Sequence, residues 1–286
     1  MNHIGLVLEG GAMRGLFTVG VLDVLMEHDI WVSAAAGVSA GAAFGCNYKS
    51  RQIGRALRYN LRYCRDKRYC SLRSLIKTGD LFGAEFCYKT LPFELDPFDC
   101  LTFDTSPADF WVVCTDVLTG KPVYHRIDRV DGDCMDWIRA SASMPMVSRP
   151  VSVGGYTLLD GGMSDAIPLR FMNRLGYRKN IVVLTRPRDY IKAKEAVLPL
   201  KLFLGRYPAM IRTMRERHAM YRWERDYVFA EEAAGRAFVL CPDEAPDISR
   251  TEHDPVRIWT VYQQGRKVAQ KNLTALREFM KRTDTI

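Results

Sequence analysis

The sequence predicts an α/β fold. Three observations carry this. Short apolar runs are followed by glycine-rich turns and amphipathic helices, and a Gly-x-Ser-x-Gly set stands between one such run and the next helix. The third is length: 286 residues can bury about three quarters of their unfolded surface. One domain over residues 1–286 is expected, with the motifs in about 4–170 and a helical region in about 200–286. No internal repeat or Pro/Gly/Ser-rich linker divides it. Charged residues at 26% and apolar ones at 48% describe an ordinary globular protein rather than a disordered or fibrous one.

Residues 3–8 form a short apolar strand. They run into Glu9-Gly-Gly-Ala-Met-Arg-Gly15 and then a helix over 16–28, with Val19, Leu22 and Leu25 on one face. Strand, glycine-rich turn and helix is the layout that aims backbone amides at an anion. A dinucleotide site is one use, since Gly10-x-Ala12-x-x-Gly15 nearly matches Gly-x-Gly-x-x-Gly. That fingerprint needs an acid at the end of the second strand. Here Asp29 precedes that strand, which ends in a serine instead. An oxyanion hole built from the amides of Gly11 and Ala12, joined by Gly10, fits better.

A strand beginning near Ile30 leads into Gly37-Val-Ser39-Ala-Gly41, and a helix follows. A serine on so sharp a strand-to-helix turn is strained, and Cβ atoms two residues to either side would collide. Glycines at 37 and 41 remove them. The helix behind directs its amides and positive dipole end at the serine, where charge develops in acyl transfer. Residues 30–48 are uncharged, but a buried strand and helix accounts for them better than a membrane span.

The net charge of +8 sits in one place. Residues 49–77 hold ten of the 41 Lys/Arg and one of the 33 Asp/Glu. A helix over 49–68 would line up Arg51, Arg55, Arg58, Arg62 and Arg65 on one face, as a solvated surface or as a contact for lipid phosphates. No nucleic-acid reading motif accompanies them. A further helix is expected over 80–91 and a loop over 92–107. The Cys- and Phe-rich stretch 69–107 is expected to cover the serine pocket.

A core strand over 110–116 follows, then a hairpin partner over 122–126 carrying His125, and a helix over 134–143. A second hairpin turns at Gly154-Gly155 and delivers Asp160-Gly161-Gly162 to a strand end, where open α/β sheets keep their sites. The remaining helices (168–175, 207–229, 255–281) and strands (180–185, 237–241) read as scaffold. Eight cysteines show neither Cys-x-x-Cys nor His-Cys spacing, and no Asp-x-Asp-x-Asp-Gly loop occurs. No metal and no cofactor are expected. The thiols read as reduced, in a cytoplasmic protein with peripheral contact at the inner face of a membrane.

Together these pieces resemble the patatin-like phospholipase family over about residues 4–170. The family's (Asp/Glu)-Gly-Gly-(Gly/Ala)-x-(Arg/Lys)-Gly is met by residues 9–15 and its Gly-x-Ser-x-Gly by 37–41. Its Ala-Ser-x-(Ala/Ser)-x-Pro is met by Ala140-Ser-Ala-Ser-Met-Pro145, and its Asp-Gly-Gly by 160–162 with Pro168 beyond. Members often carry asparagine just before that proline, where this chain has Asp165, Ala166 and Ile167. The resemblance implies a three-layer α/β/α sandwich with a mainly parallel sheet. It also implies a Ser39–Asp160 dyad without a catalytic histidine, Arg14 as a support of the glycine loop, and an ester-lipid substrate. A Ser-Asp-His triad using His218 or His253 is the alternative that chain order allows. A soluble carboxylesterase or thioesterase with the same dyad, and a non-catalytic nucleotide- or lipid-binding protein, are the other functions in play.

Overall fold

The computed structural model describes residues 3–194 and 203–282. Its centre is an eight-stranded sheet in the order β5-β6-β3-β2-β1-β7-β8, with β4 also paired to β3. The strands are β1 (Ile4–Leu8), β2 (Ala34–Val38), β3 (Asp109–Asp116), β4 (Pro122–Arg126), β5 (Val151–Val153), β6 (Tyr156–Asp160), β7 (Lys179–Val183) and β8 (Ala237–Leu240). β1, β2, β3, β7 and β8 are parallel, while β4 and β6 run antiparallel to β3 and β5 antiparallel to β6. The parallel strands are buried along both faces, which is why β1 and β2 are continuous small or apolar runs rather than alternating ones.

Alternation within each strand separates two cores. Ile4, Leu6 and Leu8 of β1 pack with α1 (Gly15–Glu27), α2 (Ala40–Lys49) and α9 (Pro255–Lys281). Val7, with Ala34 and Ala36 of β2, packs with α7 (Leu169–Arg174) and α8 (Pro208–Ala233) on the other face. The result is the expected three-layer sandwich. Helices α1 and α9 cross closely at two glycines. A Cβ on Gly20 would overlap the Tyr262 carbonyl oxygen, and one on Gly265 the Phe17 carbonyl oxygen.

Residues 49–107 depart from expectation. The helix expected over 49–68 is shorter: the preceding α2 ends at Lys49, and α3 (Arg55–Tyr63) starts only after Gly54, which sits at φ 73. A left-handed glycine cannot continue a helix. Helix α4 (Leu72–Thr78) is capped by the Ser71 side chain and ended by Gly79 at φ 81. The helix expected over 80–91 is instead a π-helical segment, Phe86–Leu95, with Pro92 inside it. Proline has no amide to donate, and wider winding accommodates the lost bond. The loop expected over 92–107 holds a short helix, α5 (Cys100–Thr105), capped by Asp99. Helix α6 (Cys134–Ser141) ends two residues earlier than expected.

Candidate active site

The register of β3 brings two chain ends together. Val113 pairs with Val38 of β2 and Tyr124 of β4, while Cys114 pairs with Val123 of β4 and Asp160 of β6. A strand has two edges, so β2 and β6 share the edge opposite β4. They run in opposite directions along it and meet head-on, β2 delivering Ser39 and β6 delivering Asp160. The pairing fixes this meeting before any side chain is considered.

Ser39 sits at φ 55, ψ −120, a conformation costly for a residue with a Cβ. Neighbouring glycines make room for it. A Cβ on Gly41 would overlap the Leu8 carbonyl oxygen, and one on Gly37 would lie 2.5 Å from the Gly41 carbonyl oxygen. The Ser39 hydroxyl donates to Asp160 Oδ2 at 2.6 Å, and the Gly162 amide donates to Asp160 Oδ1 at 2.8 Å. Both side chains are buried, at 7% and 3% exposure. Burial pushes the Asp160 carboxyl above its ordinary value, opposed by the Ser39 hydroxyl, the Gly162 amide and the positive field of Arg217 and Arg250. Gly161 lets the turn lie against β3, since its Cβ would overlap the Val113 carbonyl oxygen.

The glycine-rich turn faces Ser39 across the end of β1. Ala12 is held at φ 49, and a Cβ on Gly10 would lie 2.9 Å from that of Ser39. Among the described residues the amides of Gly11 and Ala12 donate to nothing. Glu9 anchors the turn. It is buried and accepts from the Thr185 amide at 2.5 Å, the Thr185 hydroxyl at 3.1 Å and the Tyr221 hydroxyl at 2.5 Å. Ser141 ties the elbow to β3, accepting from the Ser39 amide at 2.9 Å and donating to the Val113 carbonyl at 2.6 Å. Arg217 of α8 donates to the Gly162 carbonyl at 2.7 Å.

Two hollows meet at Ser39. One is a chamber of about 440 Å³ with mostly apolar walls, among them Phe44, Tyr59, Phe82, Tyr88 and Ile138. The other is a small polar hollow of about 70 Å³ on the Asp160 side. Ala12, Ser39, Met144 and Arg250 line both.

The family model for patatin-like phospholipases matches residues 6–172. The chain belongs to the patatin-like phospholipase family. A second model, a domain of unknown function (DUF6363), matches residues 207–281. The uncharacterized protein YjjU of Escherichia coli is 29% identical over 71% of this chain and 58% of its own length. Lysophospholipase NTE1 of Cryptococcus neoformans is 29% identical over 66% of this chain, and lysophospholipase nte1 of Aspergillus fumigatus 30% over 60%. The chain spans only 12% and 11% of those two proteins. VipD of Legionella pneumophila aligns over 96% of this chain and 67% of its own at a TM-score of 0.49 and 12% identity.

All four patatin-like motifs therefore converge on one point, including Ala140-Ser141, whose serine ties the elbow in place. Gly15 lets α1 start against α2, for its Cβ would lie 2.7 Å from that of Ala40. Arg14 is half-buried beside the turn with its Nε lacking a hydrogen-bond partner. Residues missed by the sequence reading are Thr185, Tyr221, Arg217 and Glu224. Thr185 stands just past a parallel strand's C-terminal end, a position that could have flagged it. Nothing on α8 marked Tyr221, Arg217 or Glu224, so a helix read as plain scaffold in fact braces both turns of the candidate site. Asp165, at the point where the family often differs, accepts from the Tyr124 hydroxyl at 2.6 Å, and the Ala166 amide donates to Glu224 at 3.2 Å.

The arginine row is not one face. Arg55 is buried, donating to the Asp96 carbonyl at 2.6 and 3.1 Å and to Asn47 at 2.8 Å. Arg58 grips the Asp96 carboxylate with two bonds of 2.7 and 2.8 Å. Arg51 lies outside the helix over the Trp31 ring, Arg62 lies over Tyr63, and Arg65 reaches the His253 carbonyl at 3.4 Å. The break at Gly54 and the carboxylate of Asp96, distant in sequence, divide the row. The histidines stand elsewhere: His218 Nδ1 contacts the Arg215 carbonyl, His253 Nδ1 the Cys64 carbonyl, and His125 stacks on Trp137 with centroids 3.8 Å apart. None of the three lines either hollow at Ser39.

Proposed function

We propose that this chain is a serine acyl hydrolase of ester lipids, acting through Ser39 and Asp160. The observation that carries the reading is the 2.6 Å hydrogen bond from a strained Ser39 hydroxyl to the buried Asp160 carboxylate. Oγ attacks the ester carbonyl carbon as its proton passes to Asp160 Oδ2, and the carbonyl π pair moves onto oxygen. The amides of Gly11 and Ala12, with Gly10, meet that oxyanion; one such donor is typically worth ~3 kcal/mol. On collapse the ester C–O bond breaks and the leaving alkoxide takes the proton from Asp160. Water then attacks the acyl-serine, again giving its proton to Asp160, and collapse returns Oγ with that proton while the fatty acid leaves. The reading needs no histidine.

The apolar chamber supports a fatty acyl group, since its volume falls in the usual range for ligand pockets, ~300–1,000 Å³. The stretch 69–107, expected to cover the pocket, supplies much of its wall through Tyr69, Leu81, Phe82, Tyr88, Leu91 and Phe98. Contact with an anionic membrane is assigned to α4 in place of the divided arginine row. Leu72 and Ile76, one helical turn apart, are 72% and 84% exposed, beside exposed Arg73 and Lys77, and α4 leads straight to Leu81 and Phe82. Among the described residues no helix is long and apolar enough to cross a membrane. The C-terminal helices are read as part of the same domain, because α9 packs on α1 and α8 holds Glu9. A phosphonate that labels Ser39 in the wild type, and hydrolysis of a monoacyl phospholipid lost in Ser39→Ala, test the reading.

A further inference from the structure

The polar hollow beside Asp160 is walled in part by arginines. Among the described residues Arg14, Arg186 and Arg250 line it together with Lys192 and Arg217 and the carboxylates of Glu9 and Asp160. Glu9 accepts from Thr185 and Tyr221, and Asp160 from Ser39 and Gly162. Arg14, Arg186 and Arg250 form no salt bridge among the described residues. The buried Arg14 Nε has no hydrogen-bond partner. Arg186 is held over the Tyr190 ring at 4.4 Å, which fixes its guanidinium at the wall. Gathering Arg14, Arg186 and Arg250 at one partly desolvated hollow is unfavourable unless an anion offsets their mutual repulsion.

We propose that this hollow is the seat of the substrate's phosphate, and that it selects monoacyl glycerophosphates whose headgroup carries no cation. The inference rests on the acyl-hydrolase reading and deepens it. With the acyl chain in the apolar chamber and the ester carbonyl at Ser39, the leaving glycerol is placed toward the second hollow, which adjoins the first at Ala12, Ser39, Met144 and Arg250. A phosphate three carbons from the ester oxygen then lies among the guanidinium groups, whose planar forks suit it. A choline or ethanolamine headgroup would bring its ammonium to the same positive wall, and that repulsion turns the site against it.

The test is binding of an ether-linked monoalkyl glycerophosphate, which cannot be hydrolysed, against its phosphocholine counterpart with the same chain. Titration calorimetry on the wild type is expected to show at least tenfold tighter binding of the glycerophosphate. In an Arg186→Gln/Arg250→Gln variant, checked for a wild-type circular dichroism spectrum, the ratio falls to within about twofold. Equal binding of the two ligands by the wild type, or a preference that survives in the variant, overturns the proposal. If the double variant is misfolded, the single variants Arg186→Gln and Arg250→Gln are each expected to reduce the ratio, and an unchanged ratio in both overturns it equally. Hydrolysis of a short-chain nitrophenyl ester, which has no headgroup, fails only if the acyl-hydrolase reading fails, so the two ideas part cleanly.

Discussion

Ser39 and Asp160 each occupy a state the isolated chain would avoid. A serine at positive φ costs on the order of 1–3 kcal/mol, and a buried carboxylate costs more unless hydrogen-bonded. For Asp160 the consequence for pH has a definite sign. In the proposed role of proton acceptor it must be ionised, so kcat/KM is expected to fall as pH drops through its raised value, at a pH above the ordinary aspartate range. Stability runs the other way. The folded chain holds the Asp160 proton more tightly than the unfolded chain, so that contribution is complete at low pH and lost as pH rises through the folded value. Asp160→Asn is therefore expected to cut turnover by at least ~10²-fold while raising Tm at neutral pH. Steady-state kinetics and a melting curve on one preparation check both, and a variant both inactive and less stable would contradict the account of Asp160.

At the scale of elements, equal spacing in sequence conceals unequal roles. The arginines repeat at intervals of four and three, yet Arg55 is a buried clasp on Asp96 while Arg62 faces solvent. Arg55→Ala leaves Asp96 partly unpaired in the interior and is expected to cost about 3 kcal/mol in urea denaturation, against less than ~0.5 for Arg62→Ala. Periodicity reports which residues share a helical face, and it cannot see a partner 41 residues away or a left-handed glycine at the seam. The same limit explains the π-helical segment, whose winding answers to Pro92 and to walls it packs against. The parallel core was legible because β1 and β2 end in turns whose chemistry is local: glycines that permit contact and a serine that needs them. Two acids, Asp165 and Glu224, brace the turn beyond Asp160. Burial and the nearby Asp165 push Glu224 well above its ordinary value, and Asp165 is raised as well, chiefly by burial. Both raised acids stabilise the fold when protonated, and the benefit is lost as pH rises through those values. Glu224→Gln, which stays neutral, is expected to lessen the alkaline fall of Tm; a steeper fall would contradict the raised value of Glu224.

Across the whole molecule, the C-terminal helices complete a site whose motifs lie in the first 170 residues. Tyr221 of α8 reaches Glu9 across 212 positions. Removing its hydroxyl in Tyr221→Phe takes one hydrogen bond from a buried carboxylate, about 1.5–3 kcal/mol, and slackens the glycine turn. The expected kinetic signature is lower kcat with little change in KM, since in the proposed mechanism the turn meets charge that exists only after attack. Helix α4 works on a different scale. Leu72→Glu/Ile76→Glu should reduce co-sedimentation with anionic vesicles while leaving hydrolysis of a dissolved nitrophenyl ester intact, and unchanged vesicle binding would remove α4 from the membrane contact.

The central claim is that Ser39 is the nucleophile and Asp160 its only protein base. Mapping the site and rate of phosphonate labelling by mass spectrometry tests it most directly, in the wild type and in Ser39→Ala, Asp160→Asn, His218→Ala and His253→Ala. The account predicts a single labelled serine at 39, no labelling in Ser39→Ala, labelling slowed at least ~10²-fold in Asp160→Asn, and wild-type rates in both histidine variants. Labelling at another residue, or a folded histidine variant as slow as Asp160→Asn, would contradict it.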